Sequence, residues 1–124
     1  GDLTLSNIIF TKNEVRFINL QGKTNITGTT AVIREADLIL SNDTATVHIA
    51  EALDKRVLAL FGPTHESFGF RPHLNKNKTA SVQISCRPCS GTGKDKCSQP
   101  SLLCMEKISV SRVLDEVLEM LESL

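Results

Sequence analysis

LILSNDTATVHIAEAL, residues 38–53, is the stretch on which the fold turns. With Asp37 before it, the run DLILS (37–41) is continuously apolar between polar neighbours, the pattern of a parallel strand covered on both faces. TATVHIAEALD (44–54) then offers Ala45, Val47, Ile49, Ala50 and Leu53 for packing, which predicts a helix. Between the two stand Asn42, Asp43 and Thr44, at the corner where a strand feeds a helix.

Outward from this corner the pattern repeats. RVLALFG (56–62) reads as a second buried strand, ended by Gly62 and Pro63. Upstream, ITGTTAVIREA (26–36) predicts a helix despite Gly28, with Ile26, Ala31, Val32 and Ile33 apolar and Asn25 or Thr27 available as the cap. VRFINL (15–20) is a short β-rich run, and QGKTN (21–25) is a loop. Strand, helix, strand, helix, strand over 15–61 is the order of βαβ units, so the expected class is α/β: a Rossmann-like parallel sheet with flanking helices.

The flanks are less regular. Residues 3–12 show no clean face and are read as helical, while 63–100 is loop-rich with one strand expected at ASVQIS (80–85). SVSRVLDEVLEMLESL predicts a helix over about 109–123: Val110, Val113, Leu114, Val117, Leu118 and Leu121 recur at three and four, and Ser109 or Ser111 can cap it. Three strands are thin for a doubly wound sheet, and nothing before Val15 reads as a first strand. Residues 1–124 are therefore expected to be one partial domain of a larger protein, with an open sheet edge that a second copy could pair with.

Composition narrows the function. Fourteen basic and fourteen acidic side chains cancel, so no global field draws in nucleic acid or an anionic membrane. Aromatic residues are 4% of the chain and all Phe, a poor supply of stacking platforms, which further argues against nucleic acid. The apolar runs fall short of the ~20 residues of a spanning helix, and the N-terminus lacks a signal-peptide pattern, so a cytosolic location is expected.

Ligands of open α/β sheets settle at the carboxyl ends of the strands. Asp43 and Thr44 fall there, where the unpaired N–H groups of a helix start could take a phosphate or diphosphate. Thr44 and Thr46 can add hydroxyls, and His48 could donate to a phosphate oxygen or orient Asp43. A plainer account fits the spacing too: Asp43 or Thr44 caps the helix, and His48 is a partly buried, hydrogen-bonded histidine. FGPTHESFGFRPH (61–73) adds His65, Glu66, Arg71 and His73 at the next strand end, as ligand contacts or as ordinary loop polarity. GKT (22–24) is not a P-loop, because the glycine required at position 17 is Phe.

The four cysteines form C-x2-C-x7-C-x6-C: Cys86, Cys89, Cys97 and Cys104. Four soft ligands so close in sequence could close a zinc site, or they could pair as disulfides. Because the second pair is not a tight C-x2-C and Cys104 adjoins an apolar segment, reduced packing thiols are the first expectation and no metal is assigned. A thioredoxin-like role is set aside, since no strand-to-helix turn follows Cys86 and Cys89.

Taken together, INLQGKTNITGTTAVIREADLILSNDTATVHIAEALDKRVLALFGPT, CRPC, Cys97 and CMEKISVSRVLDEV closely resemble the C-terminal half of the heptosyltransferases, glycosyltransferase family 9. The resemblance covers about residues 15–120. It implies a GT-B enzyme, two Rossmann-like domains across a cleft, that transfers a heptose from ADP-heptose to the lipopolysaccharide inner core. It implies donor-binding roles for Asp43, Thr44, Ala45 and His48 at the diphosphate and sugar. Lys23 and Thr24 would lie against the adenine, and Gly62, Pro63 and Thr64 would form the pocket floor. Ala45 stands where the family usually has Gly, so the backbone approaches the phosphate less closely. The acceptor contacts and the catalytic base are expected on an N-terminal domain that this chain lacks, so no catalytic residue is assigned here.

The nucleotide sugar is expected as substrate, with no cofactor, and the parent enzyme at the inner face of the bacterial inner membrane. The competing class is a non-catalytic α/β module whose Cys loop binds zinc or a protein partner. Nucleotide binding that depends on Asp43 and Thr44 separates the two.

Overall fold

The structure, a computed structural model, describes residues 18–89, 91–92 and 96–123. Helix α1 spans Ile26–Glu35, strand β1 Leu38–Asn42, helix α2 Ala45–Ala52, strand β2 Arg56–Leu60, strand β3 Lys78–Ala80, helix α3 Leu103–Glu106 and helix α4 Val110–Glu122. The strands form one parallel sheet in the order β1-β2-β3, with Leu38 opposite Arg56 and Leu58 opposite Lys78. This is the α/β architecture expected.

Alternation along β2 builds both faces. Val57 and Ala59, with Phe61 just beyond the strand, point to one side, where they pack with Ile33 of α1 and Val47 and Ala50 of α2. Leu58 and Leu60 point to the other side, toward Ala80 and the Val113, Val117 and Met120 face of α4. Leu58 and Phe61 are fully buried, each side chain contributing about 1.5–3 kcal/mol relative to exposure. Helices thus cover both faces of a parallel sheet, which explains why β2 reads as an unbroken apolar run.

Local chemistry sets the ends. The Asn25 side chain accepts the Gly28 N–H at 2.9 Å and starts α1, so Asn25 rather than Thr27 is the cap. Ser109, not Ser111, starts α4 by accepting the Arg112 N–H. Glu51 of α2 ties down the connection from β2 to β3: its Oε1 accepts the N–H groups of His73 at 2.7 Å and Leu74 at 2.9 Å and the Asn77 side-chain amide at 2.9 Å. Asn77 Oδ1 in turn accepts the Val57 N–H, docking the loop on β2.

Three expectations are corrected. The strand expected at 80–85 is Lys78–Ala80; beyond it, the Ser81 and Val82 carbonyls accept from Arg112 and Arg87 side chains, which replace a ladder. Residues 18–20 belong to no strand, so what is described of the run at 15–20 does not extend the sheet; positions 15–17 and the helix expected at 3–12 lie outside the described residues. The stripe on α4 is wider than the surface it meets: Val110, Leu114 and Leu118 are exposed, and Met120 is the buried residue. Helix α3 and a 3-10 turn at Glu66–Phe68 were not expected, both being too short for a periodic signal.

Candidate functional site

The carboxyl ends of β1 and β2 meet at Asp43. Its N–H donates to the Leu60 carbonyl at 3.2 Å, carrying the strand pairing one residue past Asn42. Its Oδ2 accepts the Thr64 hydroxyl at 2.8 Å. Thr64 is buried, 8% exposed, so this contact locks the turn after β2 onto the corner after β1. The second carboxylate oxygen of Asp43 has no hydrogen-bond partner among the described residues.

Helix α2 starts here without a side-chain cap. Thr44 occupies the N-cap position in extended backbone, yet its hydroxyl lies 3.2 Å from Ser41 Oγ and satisfies no first-turn amide. The Val47 N–H bonds the Thr44 carbonyl at 3.1 Å, so the N–H groups of Ala45 and Thr46 ahead of it are left for an acceptor from outside, and the helix dipole favours an anionic one. His48, one turn further on, is exposed and makes no hydrogen bond among the described residues. Asp43 and Thr44 therefore do not cap the helix, and His48 is not a partly buried, bonded histidine.

Two adjoining clefts open on this corner. One, of about 390 Å³, is lined by Asp43, Thr44, Ala45 and His48 on one side and by Thr64, Phe70, Gly91 and Thr92 on the other. The second, of about 300 Å³, reaches from Asn42 and Asp43 past Leu60 to Gly62, Pro63, Thr64, Thr92 and Met105. Gly62 lets Met105 come close here: a Cβ on it would lie 2.5 Å from Met105 Sδ.

Of the residues singled out in the sequence, Asp43, Thr44, Ala45, His48, Gly62, Pro63 and Thr64 are brought together on these walls. Lys23 and Thr24 are not: they sit in the exposed turn before α1, where the Lys23 N–H bonds the Leu20 carbonyl and the Thr24 hydroxyl pairs with Thr29 at 2.9 Å. His65 bonds Ser67, Glu66 accepts from Ser81, and His73 offers its N–H to Glu51, so these three serve the loop's own structure. Sequence reading passed over Phe70, Thr92 and Met105. The Gly-Thr-Gly of 91–93 was the available signal for Thr92, whereas only tertiary packing brings Phe70 and Met105 to the clefts.

The four cysteines are free thiols, Cys104 buried and Cys97 exposed. Burial, and then the nearby charges of Cys89 and Cys97, hold the Cys104 thiol above its ordinary value. No helix among the described residues is long and apolar enough to cross a membrane.

Comparison with known proteins gives this corner its context. The family described as glycosyltransferase family 9 (heptosyltransferase) matches residues 5–98. The chain is 27% identical over 110 residues to lipooligosaccharide heptosyltransferase 2 of Campylobacter jejuni, covering 88% of this chain and 34% of that protein. Its similarity to the protein of the same name in Haemophilus ducreyi is 41% over 61 residues, 48% of this chain and 17% of that one. The Haemophilus influenzae counterpart is 35% identical over 51 residues, 41% and 15% of the two chains. No solved structure is significantly similar. The chain spans about a third of the length of the Campylobacter relatives. With a family match running through β1, the Asp43 corner, β2 and β3, on a parallel α/β sheet, this chain belongs to glycosyltransferase family 9, the heptosyltransferases.

Proposed function

We propose that residues 43–48 and 62–64 form the donor site of a heptosyltransferase, holding ADP-heptose for transfer to the inner core of lipopolysaccharide. The observation that carries this reading is the uncapped start of α2 beside a carboxylate with one free oxygen, both facing a cleft at the strand ends. An uncapped helix start suits a diphosphate, and a fixed carboxylate suits sugar hydroxyls. Thr64 holds Asp43 in place, and Ala45 lines the wall where the diphosphate would lie.

In the transfer, an acceptor hydroxyl attacks the anomeric carbon and the diphosphate departs. Charge grows on the leaving phosphate oxygen, and the N–H groups of α2, with the Thr44 hydroxyl and His48 as side-chain donors, stabilise it where it develops. His48 acts in this scheme as a donor, not a nucleophile. No residue of these two clefts is assigned as the base that deprotonates the acceptor. The lipid-anchored acceptor places the enzyme at the cytoplasmic face of the inner membrane.

Titration of the chain with ADP, UDP and GDP, followed by backbone amide shifts and repeated with Asp43→Ala, tests the reading. Expected are ADP-selective shifts at 44–48 that disappear in the variant. A folded sample in which no nucleotide moves those amides overturns it.

A further inference from the structure

We propose that Cys86, Cys89, Cys97 and Cys104 form a tetrathiolate zinc site that fastens the 81–102 loop beneath the turn at 62–64. All four sulfur-bearing residues line one small enclosed cavity of about 40 Å³ against Pro63 and Leu103, although they come from three separate parts of the chain. A water needs roughly 10–15 Å³ by the same kind of measure, so a cation fits. Pro63, Leu102 and Leu103 make the rest of its wall largely apolar, with Lys96 and Gln99 at the polar side.

Two observations favour a metal over plain packing. First, the described residues of 81–102 contain no helix or strand, and 96–100 are exposed. A loop of this length in a compact domain calls for something to hold it. Second, Cys97 Sγ, whose thiol donates to the Ser101 carbonyl at 3.4 Å as the Cys89 thiol does to the Cys86 carbonyl at 3.2 Å, also accepts the Gln99 N–H at 3.4 Å, a contact that stays to stabilise the sulfur once its proton has left. The Arg87 side chain, held by the Thr64 carbonyl at 2.9 Å and by the Val82 carbonyl, ties the same loop to the turn after β2. Zinc is the natural choice for four thiolates, at about 2.3 Å from each sulfur.

Among the described residues no three ligating side chains yet stand at ion-coordinating spacing. Binding must therefore draw the sulfurs inward. Cys97 is the exposed member of the four, while the other side is fixed by the Cys89 N–H on the Pro63 carbonyl at 3.0 Å. Each thiol gives its proton to solvent as its sulfur takes the metal. Because Cys89 and Arg87 both bond the 63–64 backbone, closure of this site also stiffens the cleft wall.

The test uses the reduced chain, first stripped of metal and then titrated with zinc and with cobalt(II), with no nucleotide present. Expected are one metal per chain, the visible bands of tetrahedral cobalt thiolate, protection of all four cysteines from alkylation by zinc, and zinc-induced amide shifts at Gly62 and Thr64. Cys97→Ser, an exposed change that leaves the core intact, weakens zinc by more than about tenfold. A folded, reduced sample without cobalt thiolate bands overturns the site, as does zinc affinity that Cys97→Ser leaves unchanged. Neither result depends on whether the chain binds ADP.

Discussion

An ideal Cβ placed on Gly62 would lie 2.5 Å from Met105 Sδ, 3.1 Å from its Cγ and 3.6 Å from Cys104 Sγ. The glycine is there to let the α3 segment come close to the turn after β2, not to permit an unusual backbone angle. Gly62→Ala should lower stability by about 1–3 kcal/mol in urea unfolding, and Met105→Ala in the same chain should recover part of the loss, because the obstacle is a flexible side chain. A second test at this scale concerns the buried Thr64 hydroxyl on Asp43. Thr64→Val keeps the shape and removes the donor, with an expected loss of about 1–3 kcal/mol, whereas Thr64→Ser should stay close to the parent. Equal stability of the Val and Ser variants would show that the contact contributes nothing. Sequence reading picked out Asp43 and Thr64, yet not their bond: residues 21 positions apart meet only because β1 and β2 are parallel neighbours.

Among the elements, the β2 to β3 connection depends on one carboxylate. Burial alone would push the Glu51 carboxyl up, but the N–H of Leu74, the Asn77 amide, and the N–H and charge of His73 outweigh it and hold the group below its ordinary value. A depressed carboxylate stabilises the fold fully above its unfolded value of about 4.3 and loses that contribution as pH falls through the lower folded value. Acid titration of stability should therefore show a loss below about pH 4 that Glu51→Gln flattens. An unchanged acid limb in the variant would assign the loss to other groups. On the opposite face, Leu58 fills the space between the sheet and α4. Leu58→Ala should lower stability by about 2–5 kcal/mol in the same assay.

Across the whole molecule, α4 shows how little of an apolar pattern has to be buried. Val113, Val117 and Met120 meet the sheet while Val110, Leu114 and Leu118 stay exposed, as does Leu40 at 49% on β1. Leu114→Ser with Leu118→Ser should change the thermal midpoint little, each within about 0.5 kcal/mol, while Met120→Ala should lower it clearly, by about 2–5 kcal/mol. A large loss from the serine pair would mean that this face is covered. The α/β class, the α1-β1-α2-β2 succession and the placing of Asp43 at a strand end are legible in the residues alone, because hydrophobic period, cap residues and strand length are local properties written in consecutive residues. Folding in three dimensions fixes the rest: β3 is Lys78–Ala80, Lys23 and Thr24 stand apart from the clefts, Phe70 and Met105 line them, and four cysteines share one cavity. Those outcomes depend on which segments become neighbours across the sheet, and contacts between distant residues leave no period in the sequence to read.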